Sequence, residues 1–199
     1  MSNRGWAVWV VGLPGSGKSA LARGLYEALS ARGQDVVLLE MDERRRKYVP
    51  DPRYTPEERE LAYSLFVDEA AGLVDEGKGV LMDGSAYRVS MRCRARNLIE
   101  RFAEIFIQCS LDEAMRREAQ RPRGKVMAEL YEKALRRKRT GEQFEGLGEV
   151  IGVDVPFEKD PAAECVIDNT HLCKEETLRR GLHFLDTWLS NEYRPCQTD

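Results

Sequence analysis

Apolar positions recur along this chain with two alternating periods. Residues 6–11, Trp-Ala-Val-Trp-Val-Val, are continuously apolar. Such a run, bounded by glycine, reads as a strand buried on both faces. Ala20, Leu21, Leu25 and Leu29 then fall at helical spacing, ending near Gly33. Residues 36–39 form a second short strand, with acidic Asp42 just beyond it. Residues 44–54 read as a charged, proline-marked loop. A helix is predicted over 56–76. Thr55 can cap it, Pro56 suits its first turn, and Glu58 follows the cap by three residues. Leu61, Leu65, Ala70 and Leu73 supply its apolar face. Residues 80–82 make a third strand ending in Asp83-Gly84. An arginine-rich helix over 90–102 and a fourth strand over 104–108 follow. Residues 111–139 are helical and highly charged, broken at Pro122 and Gly124, and 140–163 are irregular. A fifth strand at 165–168 and a closing helix at 174–189 complete the chain. Strands alternating with helices predict an α/β fold, a parallel five-stranded sheet with helices on both faces.

Composition narrows the class. At 199 residues, 42% hydrophobic and 33% charged, the chain suits a single domain spanning 1–199 with its own core. Lysine and arginine (31) nearly balance aspartate and glutamate (34), which gives no support for a surface built wholly for nucleic acid, and no nucleic-acid partner is expected. No apolar run approaches the ~20 residues that span a bilayer, so no membrane partner is expected. The N-terminus leads straight into a strand without a secretory h-region, and a cytoplasmic location is expected. Cys93, Cys109, Cys165, Cys173 and Cys196 are odd in number and lack close pairs, so they read as free thiols in a reducing compartment.

The strongest chemical signal is contiguous. Gly12-Leu13-Pro14-Gly15-Ser16-Gly17-Lys18-Ser19 matches G-x-x-x-x-G-K-[ST] in full, after a predicted strand and before a predicted helix. Its backbone N–H groups can line an anion nest at a helix N-terminus. Lys18 can reach the β- and γ-phosphates of ATP, and Ser19 can ligate Mg²⁺. The chain therefore reads as a P-loop NTPase fold. A guanine-reading N-K-x-D is absent, since Asp168-Asn169-Thr170 lacks the lysine.

Asp42 and Asp83 lie at the carboxyl ends of two predicted strands, where open α/β sheets bind ligands. Either can orient or deprotonate an acceptor hydroxyl, and either can organise Mg²⁺. Asp42 is assigned as candidate base or positioner. Asp83 is assigned, with Ser19, to the metal. Arg45, Arg59, Ser85 and Arg88 follow close by and suit an anionic acceptor. Tyr87 or Phe157 can stack on a flat group. Residues 112–139 read as a mobile helical lid. There Arg116, Arg117, Arg121, Arg123 and Lys125 precede a second cluster, Arg136 to Arg139. Arginines on a closing segment can steady a transferring phosphoryl group, and Arg121 is the one taken as catalytic.

With these residues in view, the chain resembles the adenylylsulfate kinase family over roughly residues 5–190. The P-loop is similar. Leu39-Glu40-Met41-Asp42-Glu43-Arg44-Arg45 resembles the family's Leu-Asp-Gly-Asp-x-x-Arg. Ser85-Ala86-Tyr87-Arg88 resembles Ser-Pro-Tyr-Arg, and Leu130-Tyr131-Glu132-Lys133-Ala134 resembles Leu-Tyr-Lys-Lys-Ala. Residues 152–158, Gly-Val-Asp-Val-Pro-Phe-Glu, resemble Gly-Ile-x-x-Pro-Tyr-Glu. The resemblance implies an ATP- and Mg²⁺-dependent kinase acting on the 3′-hydroxyl of adenosine 5′-phosphosulfate, often a homodimer. Departures cluster on the acceptor side. Leu61-Ala62-Tyr63-Ser64 stands where the family carries an asparagine and paired arginines. Residues 54–59 and 80–84 also resemble small P-loop kinases of other hydroxyl compounds. A sugar, nucleoside or antibiotic kinase, or a nucleotide-dependent regulatory module, therefore stands as the alternative.

Overall fold

A computed structural model describes residues 5–50, 55–120 and 129–191. The elements follow as β1 (Trp6–Gly12), α1 (Lys18–Ala31), β2 (Val36–Glu40), α2 (Met41–Tyr48), α3 (Pro56–Asp75) and β3 (Gly79–Asp83). Then come α4 (Val89–Leu98), β4 (Phe102–Gln108), α5 (Leu111–Ala119), α6 (Leu130–Thr140), β5 (Cys165–Asp168) and α7 (Lys174–Asn191). The five strands form one sheet in the order β2-β3-β1-β4-β5, and every pairing is parallel.

The unbroken apolar run of β1 follows from burial on both faces. Ala7, Trp9 and Val11 point to one side and pack with α3 and α4 residues such as Phe66, Ala70, Met91 and Ala95. Trp6, Val8 and Val10 point to the other and pack with Leu21, Leu25 and Leu29 of α1 and Leu185 of α7. A satellite cluster of Tyr131, Ala134 and Val150 ties α6 to the segment after it. Among the described residues, no helix is long and apolar enough to cross a membrane. Cys93, Cys109, Cys165 and Cys173 are free thiols, and Cys196 lies outside the described residues.

The expected α3 cap is present: the Glu58 amide donates to Thr55 Oγ1 at 3.3 Å, with Pro56 in the first turn. The loop expected over 44–54 is corrected. Residues Met41–Tyr48 are helical, and only Met41 of this helix is buried. An all-round polar helix has no apolar periodicity to reveal it. Asp42 and Glu43 in its first turn and Arg45, Arg46 and Lys47 in its last complement the helix dipole. Glu69 of α3 anchors it by accepting from the Tyr48 hydroxyl and pairing with Arg44 at 3.0 Å. The arginine-rich helix also ends earlier than expected, at Leu98, because β4 already begins at Phe102.

Register decides where the chemistry gathers. Glu40 of β2 lies opposite Asp83 of β3, Asp83 opposite Val10 of β1, and Gly12 opposite Ile107 of β4. The loops leaving these strands therefore open on one edge of the sheet.

Candidate active site

The phosphate loop joins β1 to α1 through backbone that ordinary residues resist. Gly15 sits at φ +82° and Gly17 at φ +101°, in the left-handed region. A side chain at Gly15 would run into the Ala114 carbonyl of α5, so α5 rests directly against the loop. The Ser16 amide donates to the Leu13 carbonyl at 3.0 Å to close the turn. The Ser16 carbonyl accepts from Asn169 Nδ2 at 2.7 Å and from Arg117 Nη1 at 3.3 Å. Arg117 also donates to the Asn169 carbonyl at 2.9 Å and to Glu113 at 2.7 Å. Arg117 is thus committed to bracing the loop against the β5–α7 turn. Nothing in the sequence marks Asn169 as its partner, because the two are 52 residues apart.

Two cavities flank this loop. The first, about 300 Å³, brings together Lys18, Ser19, Asp42, Arg45, Arg59, Tyr63, Asp83, Ser85 and Tyr87, walled by residues 146–151. The second, about 620 Å³, starts at Gly17 and Ala20 and runs along Arg117, Asn169, Thr170 and Cys173. Most residues singled out in the sequence therefore do converge. Arg88 does not. It stands at the N-terminal boundary of α4 without a side-chain capping bond, pairs with Glu60 at 3.4 Å and lies 5.4 Å from the centroid of the Tyr87 ring. Phe157 is also elsewhere, half-buried and stacked on Phe106 at 5.0 Å against the edge of the core. Arg121, Arg123 and Lys125 lie outside the described residues. Arg116 turns back to Glu113, and Arg136 pairs with Glu142. Arg137 works structurally: it donates to the Leu147 and Gly148 carbonyls and pairs with Asp154 at 2.6 Å, pinning the cavity wall.

Asp83 is the most unusual charge in the first cavity. Its side chain is buried, and Oδ1 has no hydrogen-bond partner. Burial pushes its carboxyl up. Lys18 and a hydrogen bond with Ser19 pull it down, while Asp42 and Glu40 push it further up. Arg23 answers part of that negative charge by pairing with Glu40. A buried carboxylate oxygen without a donor, beside a serine hydroxyl, is a donor set that fits a hard divalent cation such as Mg²⁺. Asp42 sits in the first turn of α2, next to Arg45, whose guanidinium lies 5.9 Å from the centroid of the Tyr63 ring. Arg59 is buried, donates to the Glu149 carbonyl and lies 5.9 Å from the centroid of the Tyr87 ring. Tyr63, within the stretch where the resemblance implies an asparagine and paired arginines, uses its hydroxyl to accept from the Ala86 amide at 2.9 Å. The Tyr131 hydroxyl of α6 donates to the Pro14 carbonyl at 2.7 Å, joining α6 to the phosphate loop.

The family model for adenylylsulphate kinase matches residues 4–168, which take in the phosphate loop and every residue lining the first cavity. The chain belongs to the adenylylsulphate kinase family. It is accordingly an enzyme of the phosphotransferase class. A probable adenylyl-sulfate kinase of Archaeoglobus fulgidus is 34% identical over 82% of this chain and 95% of that protein. The solved APS kinase of Mycobacterium tuberculosis, in complex with AMPPNP and APS, superposes with a TM-score of 0.76 at 26% identity. It covers 92% of this chain and 98% of that one. A cytidine diphosphoramidate kinase of Campylobacter jejuni is 26% identical over 85% of this chain and 89% of that protein, so the kinases similar to this chain differ in acceptor.

Proposed function

We propose that this kinase transfers the γ-phosphate of ATP to the 3′-hydroxyl of adenosine 5′-phosphosulfate. The observation that carries the reading is the phosphate loop standing between two cavities. The second cavity begins at Gly17 and takes the nucleoside of ATP. The triphosphate then runs over the loop amides and ends at Lys18, at the wall of the first cavity, where the acceptor enters. Donor and acceptor meet from opposite sides, as in-line transfer requires.

Each residue then has a physical task. Lys18 neutralises the β- and γ-phosphates and charge that develops between them. Asp42 orients the acceptor hydroxyl and takes its proton as the oxygen becomes a nucleophile. Arg45 and Arg59 face the anionic groups of the acceptor, and the Tyr63 and Tyr87 rings supply flat apolar walls. Ser19 and Asp83 would hold Mg²⁺, which when bound supplies charge neutralisation on the β- and γ-oxygens. Residues 112–139 are assigned as the lid, of which 121–128 lie outside the described residues. The Tyr131–Pro14 bond and the Arg137-pinned wall keep water from the phosphate edge.

One observation favours a second reading. Tyr63 occupies the acceptor side without adding a cation, leaving Arg45 and Arg59 as the arginines lining the first cavity. An anionic hydroxyl compound other than adenylylsulfate fits that set as well. The deciding assay uses the full chain with ATP, Mg²⁺ and a panel of adenylylsulfate, cytidine nucleotides, nucleosides and sugars. ADP release tied to adenylylsulfate, with a 3′-phosphorylated product, is the expected result. Strong turnover of another acceptor and none of adenylylsulfate sinks the assignment. ADP release independent of any acceptor replaces it with a hydrolase or switch.

A further inference from the structure

Behind the first cavity lies a charged network that the transfer chemistry does not use. Glu104 sits in the middle of β4, opposite Trp9 of β1, with no solvent exposure. Arg92 of α4 is equally buried, and its Nε lies 3.1 Å from Glu104 Oε2. Neither Glu104 oxygen has a hydrogen-bond partner, so the attraction between the two groups is essentially Coulombic. The remaining charges facing Glu104 are Arg96 of α4, at 3.7 Å, and Asp160 and Glu164 from the segment before β5.

The other end of Arg92 reaches the cavity's supports. One terminal nitrogen donates to the Ala86 carbonyl and the other to the Glu158 carbonyl. Ala86 is at φ +41°, a conformation an alanine keeps only when its surroundings hold it. Its neighbours Ser85 and Tyr87 line the first cavity. Glu158 is stitched to the same turn twice: its amide donates to the Tyr87 carbonyl at 2.8 Å, and its carboxylate accepts from the Val89 amide at 2.7 Å. Arg92 is therefore the shared support of the strained turn and of the segment that runs on from the cavity wall.

The geometry points to Glu104 and Arg92 as a positioning pair that holds the Ser85–Tyr87 turn in its acceptor-binding form. This rests on the first cavity being the acceptor pocket. The charge on Glu104 fixes the tilt of the Arg92 guanidinium, and Arg92 sets the turn. Burial pushes the Glu104 carboxyl up to about 7; Arg92 and Arg96 oppose this, and Asp160 and Glu164 add to it. The pull on Arg92 is present above that pH and fades below it.

The test uses the full chain, steady-state ADP release with adenylylsulfate as acceptor, and a fluorescent ATP analogue for donor binding. Glu104→Gln keeps shape and removes charge. It is expected to lower kcat/KM for the acceptor by about tenfold or more while leaving the analogue's affinity within about twofold. In the unaltered enzyme, acceptor KM should rise as pH falls through about 7, and in Glu104→Gln that inflection should vanish. Equal loss of donor and acceptor binding in the variant overturns the inference. So does a flat acceptor KM from about pH 6 to 8 in the unaltered enzyme, which decides the matter even if the variant does not fold. Arg45→Ala separates the two layers of argument. If it leaves acceptor KM unchanged, the pocket reading fails and the inference with it. If it raises KM while Glu104→Gln does not, only the positioning role fails.

Discussion

Replacing Gly15 by alanine tests the construction of the phosphate loop by adding one carbon. Two costs follow from the structure. The first is conformational: φ at this position is +82°, and an L-residue there costs about 1–2 kcal/mol. The second is steric. The new Cβ would lie 3.0 Å from the Ala114 carbonyl carbon and closer still to its oxygen. The oxygen is the tighter contact, at 2.2 Å, and carbon and oxygen settle at about 3.3 Å or more, so the loop and α5 must separate by roughly 1 Å. Ala114 is fully buried, and α5 is tied down by Arg117 to Asn169 and by the Ser110 cap. The movement therefore falls on the loop that carries Lys18 and Ser19. A displacement near 1 Å lowers turnover by about 100-fold. The assay is coupled ADP release across an ATP titration, with thermal melting alongside. Melting should fall by roughly 2–8 °C for the strain alone in a chain of this size. Gly33→Ala is the matched control. Its φ is +74°, yet nothing lies within 4 Å, so it should lose stability but keep full turnover. Turnover of Gly15→Ala within twofold of the parent, at unchanged ATP KM, would refute the reasoning.

Other perturbations address single roles. Asp42→Asn should cut transfer by about 100-fold or more while ATP still binds, measured by rapid quench; full turnover removes it from the base role. Asp83→Asn should raise the Mg²⁺ concentration needed for half-maximal rate, because it removes the anionic charge of the unpartnered buried oxygen proposed to hold the ion; an unchanged Mg²⁺ curve counts against the metal assignment. Arg137→Ala frees the Leu147 and Gly148 carbonyls and should raise acceptor KM several-fold with ATP KM steady; equal changes in both constants point to general loosening. Stability should also report on Glu104. Its folded pKa of about 7 lies above its ordinary 4.5, so the native state binds the extra proton. That contribution is full below pH 4.5 and is lost as pH rises through 7. The parent should lose stability relative to Glu104→Gln over this window, on the order of 3 kcal/mol by urea melts at pH 5 and 8. A difference that does not vary with pH contradicts the buried-carboxyl argument.

What could be read from the chain follows the range of the interactions. The phosphate loop is contiguous, and each of its residues acts near its neighbours, so the motif suffices. Strand β1 shows its double burial in its own letters, and the α3 cap is complete within four residues. The helix α2 was missed because its stability comes from Glu69 of another helix and from end charges, neither of which leaves an apolar period. Arg88 and Phe157 carry suitable chemistry, but the fold pairs one with Glu60 outside the cavity and stacks the other, half-buried, on Phe106.

The sequence by itself determined the α/β order, the phosphate-loop motif and the kinship that the family match bears out. Only the tertiary structure decided which arginines line the first cavity, and that Arg117, Arg137 and Arg92 brace backbone carbonyls instead. The reason is physical. A guanidinium's task depends on which acceptors the fold carries to it, and for Arg92 these come from residues 6 and 66 positions away.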